Sequence, residues 1–135
     1  MGDLRSAGLT GVWLGLYSYP RQLEPVSFTA TLIESSGAIS GSTHETPREA
    51  SAAARTLFAT LSGRRNEGAV QFTKTYDDGI PHNHPISYEG ALADNGAEIE
   101  GRWSIPRMWS GRFLMIRSAP NADKSVRKKY ERIST

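Results

Sequence analysis

The 135-residue chain contains no cysteine, so disulfides, thiol nucleophiles and cysteine-ligated metals are excluded. No apolar run approaches the ~20 residues that a membrane helix requires. The first residues, MGDLRSAGLTG, carry no charged-then-apolar leader, which makes the cytoplasm the default expectation. Glycine-rich phosphate and dinucleotide loops are missing, and LSGRR at 61–65 is not a nucleophile elbow. No motif asks for a cofactor. Excess charge is also scarce, with a net charge of +2. Residues 117–135 hold six basic side chains against two acidic ones, so the body of the chain is slightly acidic. That distribution argues against a nucleic-acid-binding face spread over the fold.

What is present is a series of short segments in which side-chain character alternates with period two, bounded by Gly, Pro, Asn or Asp. Eight strands are expected, at 11–19, 26–34, 38–45, 56–63, 69–76, 85–93, 97–105 and 110–117. Stretches such as VSFTATLI and GRFLMIR supply the β-branched and aromatic residues that suit a pleated sheet. Length and composition fit one domain spanning 1–135, with the strands over 11–117.

The connections alternate in character. The second, fourth and sixth are tight: SSG at 35–37, RRNEG at 64–68 and DNG at 94–96. Asn95-Gly96 is a strong hairpin signal, because both residues accept positive φ. The first, third and fifth connections are longer. In an up-and-down arrangement the tight turns then close one end, and the long loops, where binding residues tend to sit, gather at the other. Within 46–55, Thr46, Pro47 and Glu49 form a capping box that predicts a short helix between strands three and four. A second helix is expected over 121–133, where Val126, Tyr130 and Ile133 form one apolar stripe. The basic, amphipathic character of this helix also admits a membrane-surface reading, which the narrow stripe disfavours.

Eight meandering strands in so short a chain close into a barrel, because closure removes the unpaired edges. Gly11-Val12-Trp13 at the start of strand one, with Arg117 ending strand eight, resembles the signature of the calycin superfamily of lipocalins and avidins. The resemblance implies that Trp13 plugs the closed end and that Arg117 packs over it. The order of GAISG, LSGR, VQFTK, HPISYEGAL and AEIEGRW is similar to that in avidins. The avidin ligand set is not matched. Thr43 stands where avidins place a strand-three tyrosine, and their strand-eight aspartate has no counterpart.

With Trp13 inward, alternation also sends inward Gly15, Tyr17 and Tyr19, and Ile39, Gly41 and Thr43 on strand three. Lys74, Tyr76, Tyr88 and Trp103 follow on later strands. The polar members Tyr17, Tyr19, Lys74, Tyr76 and Tyr88 gather toward the long-loop end. Two readings of Lys74 stay open. Its ammonium either meets water or tyrosine hydroxyls at the mouth, or helps form a phenol-lined pocket for an anionic or carbonyl-bearing small molecule. His82 and His84 share a face on an extended segment, with Asp77 and Asp78 nearby. They form a metal-ligand pair whose third ligand no spacing fixes.

Val12, Leu14 and Leu16 point outward from strand one, and Leu114 and Ile116 from strand eight. Together they form a patch too continuous to leave in water. It is expected to meet the C-terminal helix in part and a second copy of the chain in part, giving a homodimer.

The combined expectation is an all-β, eight-stranded antiparallel up-and-down barrel with two helices. Its leading function is non-catalytic binding of a small molecule at the long-loop end by Tyr17, Tyr19, Lys74, Tyr76, Tyr88 and Trp103. One alternative is acid–base catalysis of the cyclase or isomerase type in the same pocket. The other is an interaction module with a packed interior.

Overall fold

The computed structural model describes residues 8–20, 24–45, 56–77 and 84–133. Eight strands run in chain order: β1 (Gly11–Tyr17), β2 (Val26–Ser35), β3 (Ala38–Glu45), β4 (Leu57–Asn66), β5 (Ala69–Tyr76), β6 (Ile86–Leu92), β7 (Glu98–Ile105) and β8 (Trp109–Arg117). Each pairs antiparallel with the next, and β8 pairs back onto β1 from Trp13↔Arg117 to Tyr17↔Phe113, closing the barrel. One helix follows, α1 (Ala122–Ile133). The short helix expected within 46–55 lies outside the described residues. Among those described, no helix is long and apolar enough to cross a membrane.

The tight turns fall at one end, as their residues require. Ser36 and Gly37 both take positive φ, 49° and 85°, the combination that matches the twist of a two-residue hairpin. β4 runs three residues further than its pattern suggested, so Arg64, Arg65 and Asn66 are strand and the turn shrinks to Glu67-Gly68. The strands coil tightly around the interior. A side chain at Gly101 would place its Cβ 1.9 Å from the Glu89 carbonyl oxygen, so only glycine fits there.

Trp13 is fully buried, and its indole N–H donates to the Leu9 carbonyl at 2.9 Å. Arg117 lies over the indole, 4.4 Å from the ring centre. Its guanidinium also donates to the carbonyls of Gly8 (2.8 Å), Thr10 (3.2 Å) and Gly96 (3.1 Å). One side chain thus covers an aromatic face and satisfies three carbonyl oxygens. Gly11 enters β1 with φ at 143°, a conformation that favours glycine. Above this floor, Phe72 and Tyr88 stack at 5.0 Å, and Phe113 meets Tyr88 edge-on at 4.9 Å.

The outer apolar patch has one cover here. Leu16, Leu114 and Ile116 are buried against Val126 and Tyr130 of α1, with Ile133 packed beside them. These three residues therefore meet α1. The stripe of α1 is wide enough to take them, because Ala122 also turns inward. Val12 remains 43% exposed and Leu14 half-buried.

Candidate functional site

Three alternate strands carry four polar side chains into the long-loop half of the barrel. Glu45 ends β3, Tyr17 ends β1, and Lys74 and Tyr76 end β5. Alternation turns all four inward. The Glu45 carboxylate is their centre. Its Oε2 accepts from the Tyr17 hydroxyl at 2.6 Å, and its Oε1 accepts from Lys74 Nζ and the Tyr76 hydroxyl, each at 2.8 Å. The two hydroxyl oxygens are 3.5 Å apart. Glu45 is 4% exposed and Lys74 1%.

The Lys74 ammonium also faces four rings. The centres of Tyr76, Tyr17, Phe28 and Tyr88 lie 4.8, 4.9, 5.2 and 5.8 Å away. One carboxylate and a wall of π-faces thus stand in for its hydration shell. Burial lowers the lysine's affinity for its proton, and this outweighs the opposing pull of Glu45. Burial raises the Tyr17, Tyr76 and Tyr88 hydroxyls well above the usual phenol range, and the nearby Glu45 charge adds to the effect. At neutral pH all three are neutral groups, and Tyr17 and Tyr76 donate hydrogen bonds. Two residues below Glu45, the hydroxyl of Thr43 is buried, and among the described residues it finds no hydrogen-bond partner.

An aromatic ladder joins this centre to the surface. Trp109, 47% exposed, meets Tyr19 at 5.8 Å. Tyr19 meets Trp103 at 5.3 Å and Tyr17 at 5.7 Å, each edge-on. The indole N–H of Trp103 donates to the Ser18 carbonyl at 3.0 Å, which holds the chain entering the first long loop. Met108, 55% exposed, flanks Trp109.

All six expected site residues are therefore contiguous: Tyr17, Lys74 and Tyr76 around the carboxylate, Tyr88 beneath, and Tyr19 and Trp103 toward the rim. Neither open reading of Lys74 described its main partner, which is a carboxylate. Glu45 is the site residue that the sequence reading left out. The signal was available, since the inward series Ile39, Gly41, Thr43 continues to Glu45 two residues on. His84 is exposed, while His82 and Asp78 lie outside the described residues. Among the described residues no group of three or more His, Asp or Glu side chains converges to hold a metal.

Large side chains fill the interior, among them Trp13, Phe72, Tyr88, Trp103, Phe113 and Lys74 itself. A groove of about 740 Å³ on the outer wall, lined by Arg64, Gln71 and Glu89 among others, lies at the tight-turn end, away from the polar centre. A smaller one of about 330 Å³ runs between α1 and β1–β3, with Leu14, Val126, Arg127 and Glu45 among its lining.

No protein-family model matches the chain. No curated protein sequence matches it. Among solved structures it is similar to a redesigned beta barrel. That match has 11% identity and a TM-score of 0.69, and covers 88% of this chain and 98% of that one. At this identity the likeness shows the fold alone, a closed eight-stranded antiparallel barrel.

Proposed function

We propose that this chain is a calycin-like binding barrel that holds a small, flat, carbonyl-bearing molecule at its long-loop end without transforming it. The single observation that supports this most is the buried Lys74–Glu45 pair with its two tyrosine donors. Replacing a buried ion pair by well-packed apolar groups is commonly neutral or stabilising. A barrel that needed only a packed core would gain nothing from keeping one. The ladder from Trp109 through Tyr19 to Tyr17 offers a flat molecule successive ring contacts, and the phenols and the ammonium offer donors to its oxygen. Because Glu45 neutralises Lys74, a neutral carbonyl suits the centre better than a carboxylate, which Glu45 would repel.

Native mass spectrometry of freshly purified protein tests this reading. A retained small molecule that is lost in Tyr19→Ala and Lys74→Met, each still folded by circular dichroism, is the expected outcome. A wild-type chain that carries nothing, together with no change in tryptophan emission across a panel of aryl aldehydes, ketones and esters, overturns it. The filled interior favours a second reading, an interaction module. That reading is supported if the protein captures no small molecule while Trp109→Ala abolishes binding to an identified protein.

A further inference from the structure

We infer that Lys74 is a carbonyl-capturing amine, which holds an aldehyde ligand reversibly as an imine inside the barrel mouth. This rests on the binding reading above and names the bond that secures the ligand.

The geometry has three parts. First, among the described residues Lys74 Nζ has one hydrogen-bonded acceptor, Glu45 Oε1 at 2.8 Å, and aromatic rings surround it. Second, the group that takes its proton is already in contact. Transfer along that 2.8 Å bond converts the resting charge pair into a neutral amine and a neutral carboxylic acid, a step that burial eases. Desolvated lysines of this type act as nucleophiles toward carbonyl compounds. Third, Tyr76 is only partly buried and stands 4.8 Å from the ammonium at the end of β5, so its ring separates the amine from the loop end. Turning that ring aside opens the path from Tyr19.

The chemistry balances without a further reactant. The neutral amine adds to the carbonyl carbon, and the oxygen takes a proton from Glu45 to give a carbinolamine. The nitrogen returns a proton to Glu45. Protonation of the hydroxyl by the same carboxyl group lets it leave as water. The product is the protonated imine, paired with the Glu45 carboxylate, and one water, and hydrolysis reverses each step. Tyr17 keeps the carboxylate placed throughout, through its bond of 2.6 Å.

The chain offers a built-in comparison, because its other three lysines, Lys124, Lys128 and Lys129, all lie on α1. The probe is 4-methoxybenzaldehyde with cyanoborohydride, followed by peptide mapping. Methyl 4-methoxybenzoate is the matched ligand that carries a carbonyl and forms no imine. At pH 7 the Lys74 peptide is expected to carry one methoxybenzyl group before any α1 lysine does. The rate at Lys74 should change little from pH 6 to 8, whereas exposed lysines gain about tenfold per pH unit below ~10.4. The groups facing Lys74 are Glu45, Tyr17, Tyr76 and Tyr88, and the tyrosines stay neutral across that range. Tyr76→Ala should speed labelling of Lys74 at least fivefold and leave α1 unchanged.

Label confined to α1, or spread equally over all four lysines, overturns the inference. If the ester still shifts tryptophan emission in that case, the binding reading stands and the imine alone falls. If the ester is also silent, both fall for this ligand class.

Discussion

Removing one member of the Lys74–Glu45 pair should be far more damaging than removing both. In Lys74→Met the carboxylate keeps the Tyr17 and Tyr76 hydroxyls but loses its cation, at a position 4% exposed. In Glu45→Leu the ammonium keeps its rings but loses the carboxylate that accepts from it. Breaking a buried pair in this way costs about 3–5 kcal/mol. The double variant leaves no buried charge. Its remaining defect is two hydroxyls without their acceptor. They already stand 3.5 Å apart, so a small movement lets one donate to the other and leaves a single unmade bond, worth about 1–3 kcal/mol. The apolar replacement offsets part of that, by about 1–4 kcal/mol.

The double variant is therefore expected within about 2 kcal/mol of wild type, with a coupling energy of at least ~3 kcal/mol between the sites. Urea unfolding at pH 7, followed by circular dichroism, measures all four corners of the cycle. Costs that add to within ~0.5 kcal/mol would refute the reasoning, because they would mean that the two groups do not interact across 2.8 Å in solution.

Tyr17, Tyr76 and Tyr88 have hydroxyls raised by burial, so the stability they contribute is fully present below pH ~10 and is lost as pH rises. Each should remove about 1.4 kcal/mol per pH unit above that value, and their 295 nm ionisation signal should appear only as the circular dichroism collapses. The lowered Lys74 acts with the opposite sign, adding stability with pH only up to its unfolded value near 10.5, so it does not mask the effect. Thr43→Val should be neutral or stabilising by up to about 1 kcal/mol in urea, since it removes a hydroxyl that has no partner among the described residues. A loss above ~1 kcal/mol would show that the hydroxyl holds an internal water. Arg117→Lys should cost about 1–3 kcal/mol, because a single ammonium cannot reach the carbonyls of Gly8, Thr10 and Gly96 while covering Trp13. Wild-type stability in that variant would mean that the fork is not what seals the floor.

The barrel was legible because its signals repeat. Period-two alternation fixes which face of each strand turns inward, and a one-residue slip would bury Ser and Thr in place of Phe and Trp. Turn chemistry placed the tight end, and the pairing of Trp13 with Arg117 placed its floor. One strand boundary was misread, where two forces compete. β4 runs on through Arg64 to Asn66 because strand pairing with Gln71, Val70 and Ala69 continues there, whatever the local polarity suggests. The outer patch read as shared between the helix and a second copy, because a sequence does not show how much area one helix covers. Val126, Tyr130 and Ile133 pack on Leu16, Leu114 and Ile116, while Val12 stays 43% exposed.

Glu45 shows why the polar centre was only half legible. A strand-end glutamate next to an exposed histidine reads as a solvated turn residue, and most are. What makes it the centre is the meeting of three strands. The β3–β4 register sets Leu57 opposite Glu45, and the β4–β5 register brings Tyr76 opposite Ala59 and Lys74 opposite Leu61. The alanine and leucine leave room on β4 for two long polar side chains to reach across. Tyr17 arrives from β1, two strands from β3 across β2, as the closed barrel curves the three strands around one interior. Each inward polar residue is visible alone as an exception to the apolar pattern, but its partner is fixed by closure, which no single segment encodes. When alternation in a closing barrel buries a lysine, the acid to seek is therefore the inward residue at the same end of a nearby strand, even where its local sequence looks like loop.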